Sequence, residues 1–132
     1  MSNPQKIKFN SVSEFLAHLP EDELIVVETL LRLVRDTIPD VRIKLAYNVP
    51  FFYRHRRIGF IWPASVPWGK VSAGVALGFV NGHQWEAAEA TDSQVSRRVY
   101  HRTEEIDEDT LTQALWEAAE LDRQQYEARS SS

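Results

Sequence analysis

The residues best suited to chemistry in this sequence are aromatic and basic, and they crowd its middle third. Tyr47, Phe51, Phe52, Tyr53, Phe60, Trp62, Trp68 and Phe79 lie on or beside the central apolar segments. Ligand pockets are mostly apolar with a few polar groups, and Tyr and Trp side chains supply both features. The plain alternative is that these rings are core, and it is the stronger reading at alternating strand positions such as Phe60 and Phe79. Trp68 differs because it sits among prolines and glycine, where an apolar ring suits a lid or an exposed contact.

Arg54, His55, Arg56 and Arg57 form one basic run, and Arg97, Arg98, His101 and Arg102 form another. A guanidinium fork matches phosphate and carboxylate oxygens, so the two runs together suggest an anion site. Their bland reading is a solvated turn and an edge strand protected by charge. These considerations select Tyr47, Asn48, Phe51, Tyr53, Trp62, Trp68, Arg98 and His101 as candidate ligand-binding residues, for a small anionic or aromatic ligand.

Acids gather at Glu21, Asp22, Glu23 and Glu28, and again from Glu104 to Asp109. Carboxylate oxygens accept hard cations and ferrous iron. Both groups nevertheless precede helix-like periodicity, where the dipole alone favours acids. His18, His55, His83 and His101 show no metal-ligand spacing, and no phosphate-cradling glycine loop, nucleophile elbow or dinucleotide fingerprint occurs. No catalytic residue is selected, so a non-enzymatic binding module is the first expectation.

The chain has 132 residues, 43% hydrophobic and 26% charged, which is enough for one domain with its own core. With no cysteine, disulfides, thiolate-ligated metals and thiol nucleophiles are excluded. A formal charge of −4 gives no global attraction to nucleic acid or anionic lipid, so neither is an expected partner. The absence of a long apolar run and of cysteine points to a cytoplasmic protein.

The elements that must position these side chains follow from periodicity. Ser11-Val12-Ser13-Glu14 is a capping box, in which Ser11 accepts from the Glu14 amide and the Glu14 carboxylate returns to the Ser11 amide. A helix of about two turns follows and ends by Leu19, before Pro20. Pro20 suits the first turn of a second helix, whose stripe is Leu24, Val27, Leu31, Val34 and Ile38. Val41, Ile43, Leu45 and Tyr47 then alternate as one strand face, and Asn48-Val49-Pro50 breaks the pattern.

Phe51 to Arg54 and Ile58 to Trp62 make a hairpin across the basic tip, and Pro63 to Ala73 is a loop. Gly74 to Val80 is a strand, Asn81-Gly82 a turn, and residues 83 to 96 a loop with a short helix near Trp85 to Ala90. Arg97 to Arg102 gives the last strand. Asp107 caps a final helix, buried through Leu111, Ala114, Leu115, Ala118 and Leu121, with Ile106 and Leu111 as a staple. The ordered core should span about residues 11 to 127. The expected fold is α+β, an antiparallel sheet of four or five strands with two N-terminal helices and one C-terminal helix packed on it.

Phe15-Leu16-Ala17-His18-Leu19-Pro20, Ile38-Pro39-Asp40 and Lys44-Leu45-Ala46-Tyr47-Asn48-Val49-Pro50-Phe51 occur in an order and spacing that resembles the YdhG-like domain-of-unknown-function family. Val75-Ala76-Leu77-Gly78-Phe79, Asn81-Gly82, Arg98 and Ile106-Asp107 are similar to its second block, so the resemblance covers most of residues 11 to 121. The chain departs from the pattern at Asn48, where glycine is frequent, and within residues 84 to 96. The resemblance implies a compact α+β domain. Family members usually carry no assigned activity, and some relatives are described as frataxin-like iron-binding chaperones. Two alternatives follow: an iron chaperone using Glu21, Asp22 and Glu23 with iron as its cofactor, and an adaptor that uses an exposed aromatic patch or strand edge, homodimerisation included.

Overall fold

Two helices, a run of antiparallel strands and a closing helix succeed one another along the chain in the computed structural model, which describes residues 8–80, 89–90 and 95–130. Helix α1 (Val12–His18) begins at Ser11, whose Oγ accepts from the Glu14 amide at 3.1 Å. The Glu14 carboxylate reaches one residue further back than expected, accepting from the Asn10 amide at 3.1 Å instead of the Ser11 amide. The packed chain therefore starts before Ser11, and the Phe9 ring meets Phe15 and His18 at centroid distances of 6.1 and 5.0 Å.

Helix α2 (Glu21–Thr37) takes Pro20 as its N-cap, just outside the first turn where the sequence reading put it. Its buried face is wider than the expected stripe: Val26, Leu30 and Leu33 are buried along with Val27, Leu31 and Val34. The width follows from two neighbours, because α2 packs on both the sheet and helix α3 (Glu108–Ser130). At the start of α3, Asp107 accepts from the Thr110 amide at 3.2 Å, and the Ile106 and Leu111 side chains flanking that cap are both buried.

Strands β1 (Arg42–Ala46), β2 (Val49–Tyr53), β3 (Arg57–Pro63), β4 (Val75–Phe79), β5 (Glu89–Ala90) and β6 (Ser96–Tyr100) form one sheet in the order β1-β2-β3-β4-β6-β5, antiparallel throughout. Five are full strands and β5 is a two-residue edge, in keeping with the expected α+β architecture. A 3-10 turn, Thr103–Glu105, links β6 to α3.

Several local expectations need correction. Tyr47 is not the end of a strand face, because Tyr47 and Asn48 have φ of 55° and 66° and form the turn between β1 and β2. Val49 and Pro50 do not break the sheet. They open β2, and Pro50 stands outside the β2–β3 register, which begins at Phe51 opposite Phe60. Glu89 and Ala90 pair with Arg97 and Ser96 as a strand instead of continuing a helix. Tyr100 ends β6, leaving His101 and Arg102 beyond it and exposed. Asn81-Gly82 and the helix expected near Trp85 lie in segments 81–88 and 91–94, outside the described residues.

Register sorts the side chains into two layers. Phe52, Ile61, Val75, Leu77, Phe79 and Tyr100 share the face toward the helices and are all 2% exposed or less. Phe51, Phe60 and Trp62 occupy the opposite face, together with Ala76, Gly78 and Arg97. Glycine makes room for rings on both sides. A Cβ at Gly59 would stand 2.5 Å from the Phe52 ring and 2.2 Å from the Gly78 carbonyl oxygen, and one at Gly78 would stand 2.4 Å from the Phe60 ring. Gly59→Ala should therefore overpack the sheet and cost about 2 to 3 kcal/mol, read as a lower urea midpoint with an unchanged denaturant slope.

Candidate functional site

Rings and guanidinium groups dominate the sheet face turned away from the helices. Period-two alternation in β2 and β3 delivers Phe51, Phe60 and Trp62 to it, and these three rings lie 5.5 to 6.5 Å apart between centroids in tilted and edge-to-face contacts. Arg57 lies over the Phe51 ring at 4.3 Å, and its Nε and Nη2 donate to the Tyr53 hydroxyl at 3.2 and 3.0 Å.

The Tyr47–Asn48 turn and the loop from Ala64 to Gly74 border this floor. The loop is closed at its base by the Ala64 amide donating to the Gly74 carbonyl at 2.9 Å. Trp62 Nε1 donates to the Val66 carbonyl at 2.9 Å, and the Gly69 backbone approaches the Trp62 indole so closely that a Cβ would stand 2.4 Å away. Arg97 adds two bonds, to the carbonyls of Gly69 at 2.7 Å and Lys70 at 3.0 Å. The loop is thus pinned to the sheet, while Trp68 at its tip stays 54% exposed. From the other border Tyr47 stacks on Trp62 at 6.2 Å and 24°, yet remains 58% exposed.

Tyr47, Asn48, Trp68 and Lys70 have positive φ, and among the described residues they are the non-glycine positions that do. All four sit in the two segments that frame the aromatic floor. Asn48 has a structural task, since its Oδ1 accepts from the Phe9 amide at 3.0 Å and ties down the chain before α1.

Of the residues selected from sequence, Tyr47, Phe51, Tyr53, Trp62 and Trp68 gather on or around this face. Arg98 and His101 do not join them. Arg98 alternates with Arg97 and so belongs to the helix side, beside Tyr100 at 5.7 Å, where Arg98, Tyr100, Asp107 and Thr110 line a separate cleft of about 100 Å³. His101 lies past the end of β6, its amide donating to Glu105 at 2.7 Å. Arg57 and Arg97, by contrast, border the rings, although in the sequence they stand within the basic runs. Alternation in β6 separates Arg97 from Arg98, whereas Arg57 has the parity of Gly59 and Ile61 and reaches the ring side through the register shift beside Tyr53.

The two basic runs do not combine into one anion site, because the Arg54–Arg56 turn and the His101–Arg102 segment lie at opposite ends of the sheet. The turn is fastened to α3 instead. Asp122, 5% exposed, accepts from the His55 and Arg56 amides at 3.0 Å each, and the His55 ring stacks on Tyr126 at 4.0 Å. Arg54 donates to Asp40 at 3.0 Å and to the Ala119 carbonyl at 3.3 Å, and that hydrogen bond holds the Asp40 carboxyl below its usual range. Under the turn, Arg56 Nε and Gln125 Oε1 border a hollow of about 10 Å³, the size of one water molecule.

The acids of α2 are likewise dispersed. Glu23 accepts from the Ser65 amide and hydroxyl at 3.3 and 2.6 Å, which draws it toward the aromatic-side loop, and no three metal-ligating side chains converge among the described residues. No described helix is long and apolar enough to cross a membrane.

Replacing Asp122 by Ala should strand two turn amides and lower stability by about 2 kcal/mol, seen as a drop in thermal midpoint. On the helix side, burial pushes the Tyr100 phenol up to about 12 from 10.0, because the phenolate is disfavoured there. The stabilisation from keeping this phenol neutral is complete below pH 10 and lost as pH rises toward 12. Thermal midpoints measured across that window should fall less steeply in Tyr100→Phe than in the parent protein.

Comparison with protein-family models, with curated proteins and with solved structures finds no match to this chain.

Proposed function

We propose that the protein is a non-enzymatic binding module that holds a small planar anionic ligand against the face framed by Tyr47, Trp62 and Trp68. The observation that carries this reading is the coincidence of backbone strain with ring exposure. A bulky residue at positive φ is uncommon and costs on the order of 1 kcal/mol, and Asn-Gly would serve the β1–β2 turn better. Tyr47 and Trp68 accept that cost while more than half of each residue stays in solvent, although Tyr47 also stacks on Trp62. Ring recognition gives both choices a use.

Around them the chemistry is that of binding. By register this face carries aromatic rings with Arg42, Lys44, Arg57 and Arg97, and Glu89 stands opposite Arg97. Stacking would supply most of the affinity, and the guanidinium groups would favour an acidic substituent on the ring. Catalysis would need a proton donor or acceptor tuned near neutrality, and the rings and guanidinium groups do not provide one.

Titration with anilinonaphthalene sulfonate, an anionic dye with a planar naphthalene ring, tests the reading. We expect saturable fluorescence enhancement in the native protein and at least a tenfold weaker dissociation constant in Tyr47→Gly and in Trp68→Gly. Both glycine variants relieve positive φ, so the thermal midpoint should equal or exceed the parent's in Trp68→Gly and stay close to it in Tyr47→Gly, which also loses the contact with Trp62. Dye binding that is absent, or unchanged in both variants, removes the proposal.

A further inference from the structure

On the other side of the Tyr47–Asn48 turn from the rings lies the margin of the sheet, where β1 is the outermost strand. Edge strands present unpaired N–H and C=O groups and are natural templates for another strand. The turn at Tyr47 and Asn48 fixes which groups these are. A two-residue connection closes on a hydrogen-bonded pair, here Ala46 with Val49, and the alternation of antiparallel pairs then turns the backbone groups of Leu45 and Ile43 away from β2. Among the described residues nothing pairs with that outer edge.

Facing the same edge is the segment that enters α1. Lys8 to Val12 and Ile43 to Leu45 line a cleft of about 450 Å³ between them. At strand and sheet spacings an extended residue fills roughly 160 Å³, so about three residues fit. The walls offer a β-strand what it needs: half-exposed Phe9, Val12, Ile43 and Leu45 for alternate apolar side chains, and a strand edge that no described residue pairs with. Lys8 and Lys44 are exposed, and no carboxylate lines the cleft, in a chain whose net charge is −4.

We infer that this edge binds an extended acidic segment of another protein by strand addition, its backbone pairing with Ile43 and Leu45, alternate apolar side chains entering the cleft and acids meeting Lys8 and Lys44. Charge selects this occupant over a second copy of the chain. Antiparallel self-pairing across β1 would set the exposed Arg42 and Lys44 of one copy against those of the other, and like charges directly opposite are destabilising. An acidic strand reverses that term while keeping the backbone bonds.

The probe is a capped seven-residue peptide of alternating glutamate and valine, titrated into the full-length protein with backbone amide NMR as the readout. Saturable shifts centred on Ile43 and Leu45 are expected, with slowed hydrogen exchange at both amides. A lysine–valine peptide, a glutamate–valine peptide N-methylated at alternate residues, and the original peptide added to Lys44→Glu should each bind at least tenfold more weakly. The exposed position of Lys44 lets that variant fold, which its unaltered spectrum elsewhere would verify. No shift at millimolar peptide overturns the inference, as does equal binding by the N-methylated peptide or shifts confined to Tyr47 and Trp68. Sedimentation showing a dimer whose interface protects Ile43 and Leu45 in the absence of peptide would assign the edge to a second copy and overturn it equally.

Discussion

The structure depends on a sheet that is apolar on both faces while the described helices cover one of them. Every residue of β3 from Ile58 to Pro63 is buried, an unbroken run that a half-solvated strand would interrupt at each second position. Three helices shield Ile61 and its neighbours on one side. Phe60 and Trp62 on the other side need a different cover, and among the described residues the Ala64–Gly74 loop and the Tyr47 ring provide part of it. Gly59 and Gly78 are the hinge of this arrangement, because each removes a side chain where a ring from the adjoining strand must lie. The aromatic face is thus a consequence of how the core is built, and its rim is where the fold spends conformational strain.

How much of this was legible depended on the range of the interaction. Local rules placed the caps at Ser11 and Asp107, the apolar stripe of α2 and the alternation of β4, since each is decided within a few residues. Tyr47 misled because its spacing from Val41, Ile43 and Leu45 continues a strand, and nothing in that spacing reveals a left-handed backbone. Pro50 misled in the other direction, since its lack of an N–H counts against a strand only where a partner needs that donor. The site was half legible for the same reason. Alternation collects Phe51, Tyr53 and Trp62 on one face, whereas the crossing from β4 to β6 that sets Arg97 beside the loop, and Arg98 behind the sheet, is a property of topology.

The basic residues show why charge runs are poor guides to ligands. Arg54, His55 and Arg56 look like an anion trap in one dimension, but Asp122 on α3 is sixty-odd residues away in sequence and accepts two of their amides at 3.0 Å. A buried carboxylate with two charge-assisted bonds is a strong local anchor, and it converts a hairpin tip into a fastening between sheet and helix. Arg54 extends the fastening to Asp40 and Ala119, so the end of α2, the turn and the middle of α3 become one connected corner. In this corner the Arg54 guanidinium is occupied by Asp40 and the Ala119 carbonyl, whereas His55 and Arg56 contribute their backbone amides.

At the other end of the sheet the constraints relax in a particular pattern. The corner built on Asp122 fixes the Arg54–Arg56 end, and the aromatic rim and the start of β2 lie at the far end, where Tyr47, Asn48, Trp68 and Lys70 adopt positive φ. Strain of this kind persists only when surrounding contacts over-determine it. Those contacts are present: the Asn48 side chain holds the Phe9 amide, Trp62 holds Val66, and Arg97 holds Gly69 and Lys70. The Asn48 bond also sets the approach of the chain before α1 toward β1, so a single amide side chain shapes the turn beneath the aromatic rim and the mouth of the edge cleft. The two surfaces therefore share a mechanical element, and whatever reorients the Tyr47–Asn48 turn alters both.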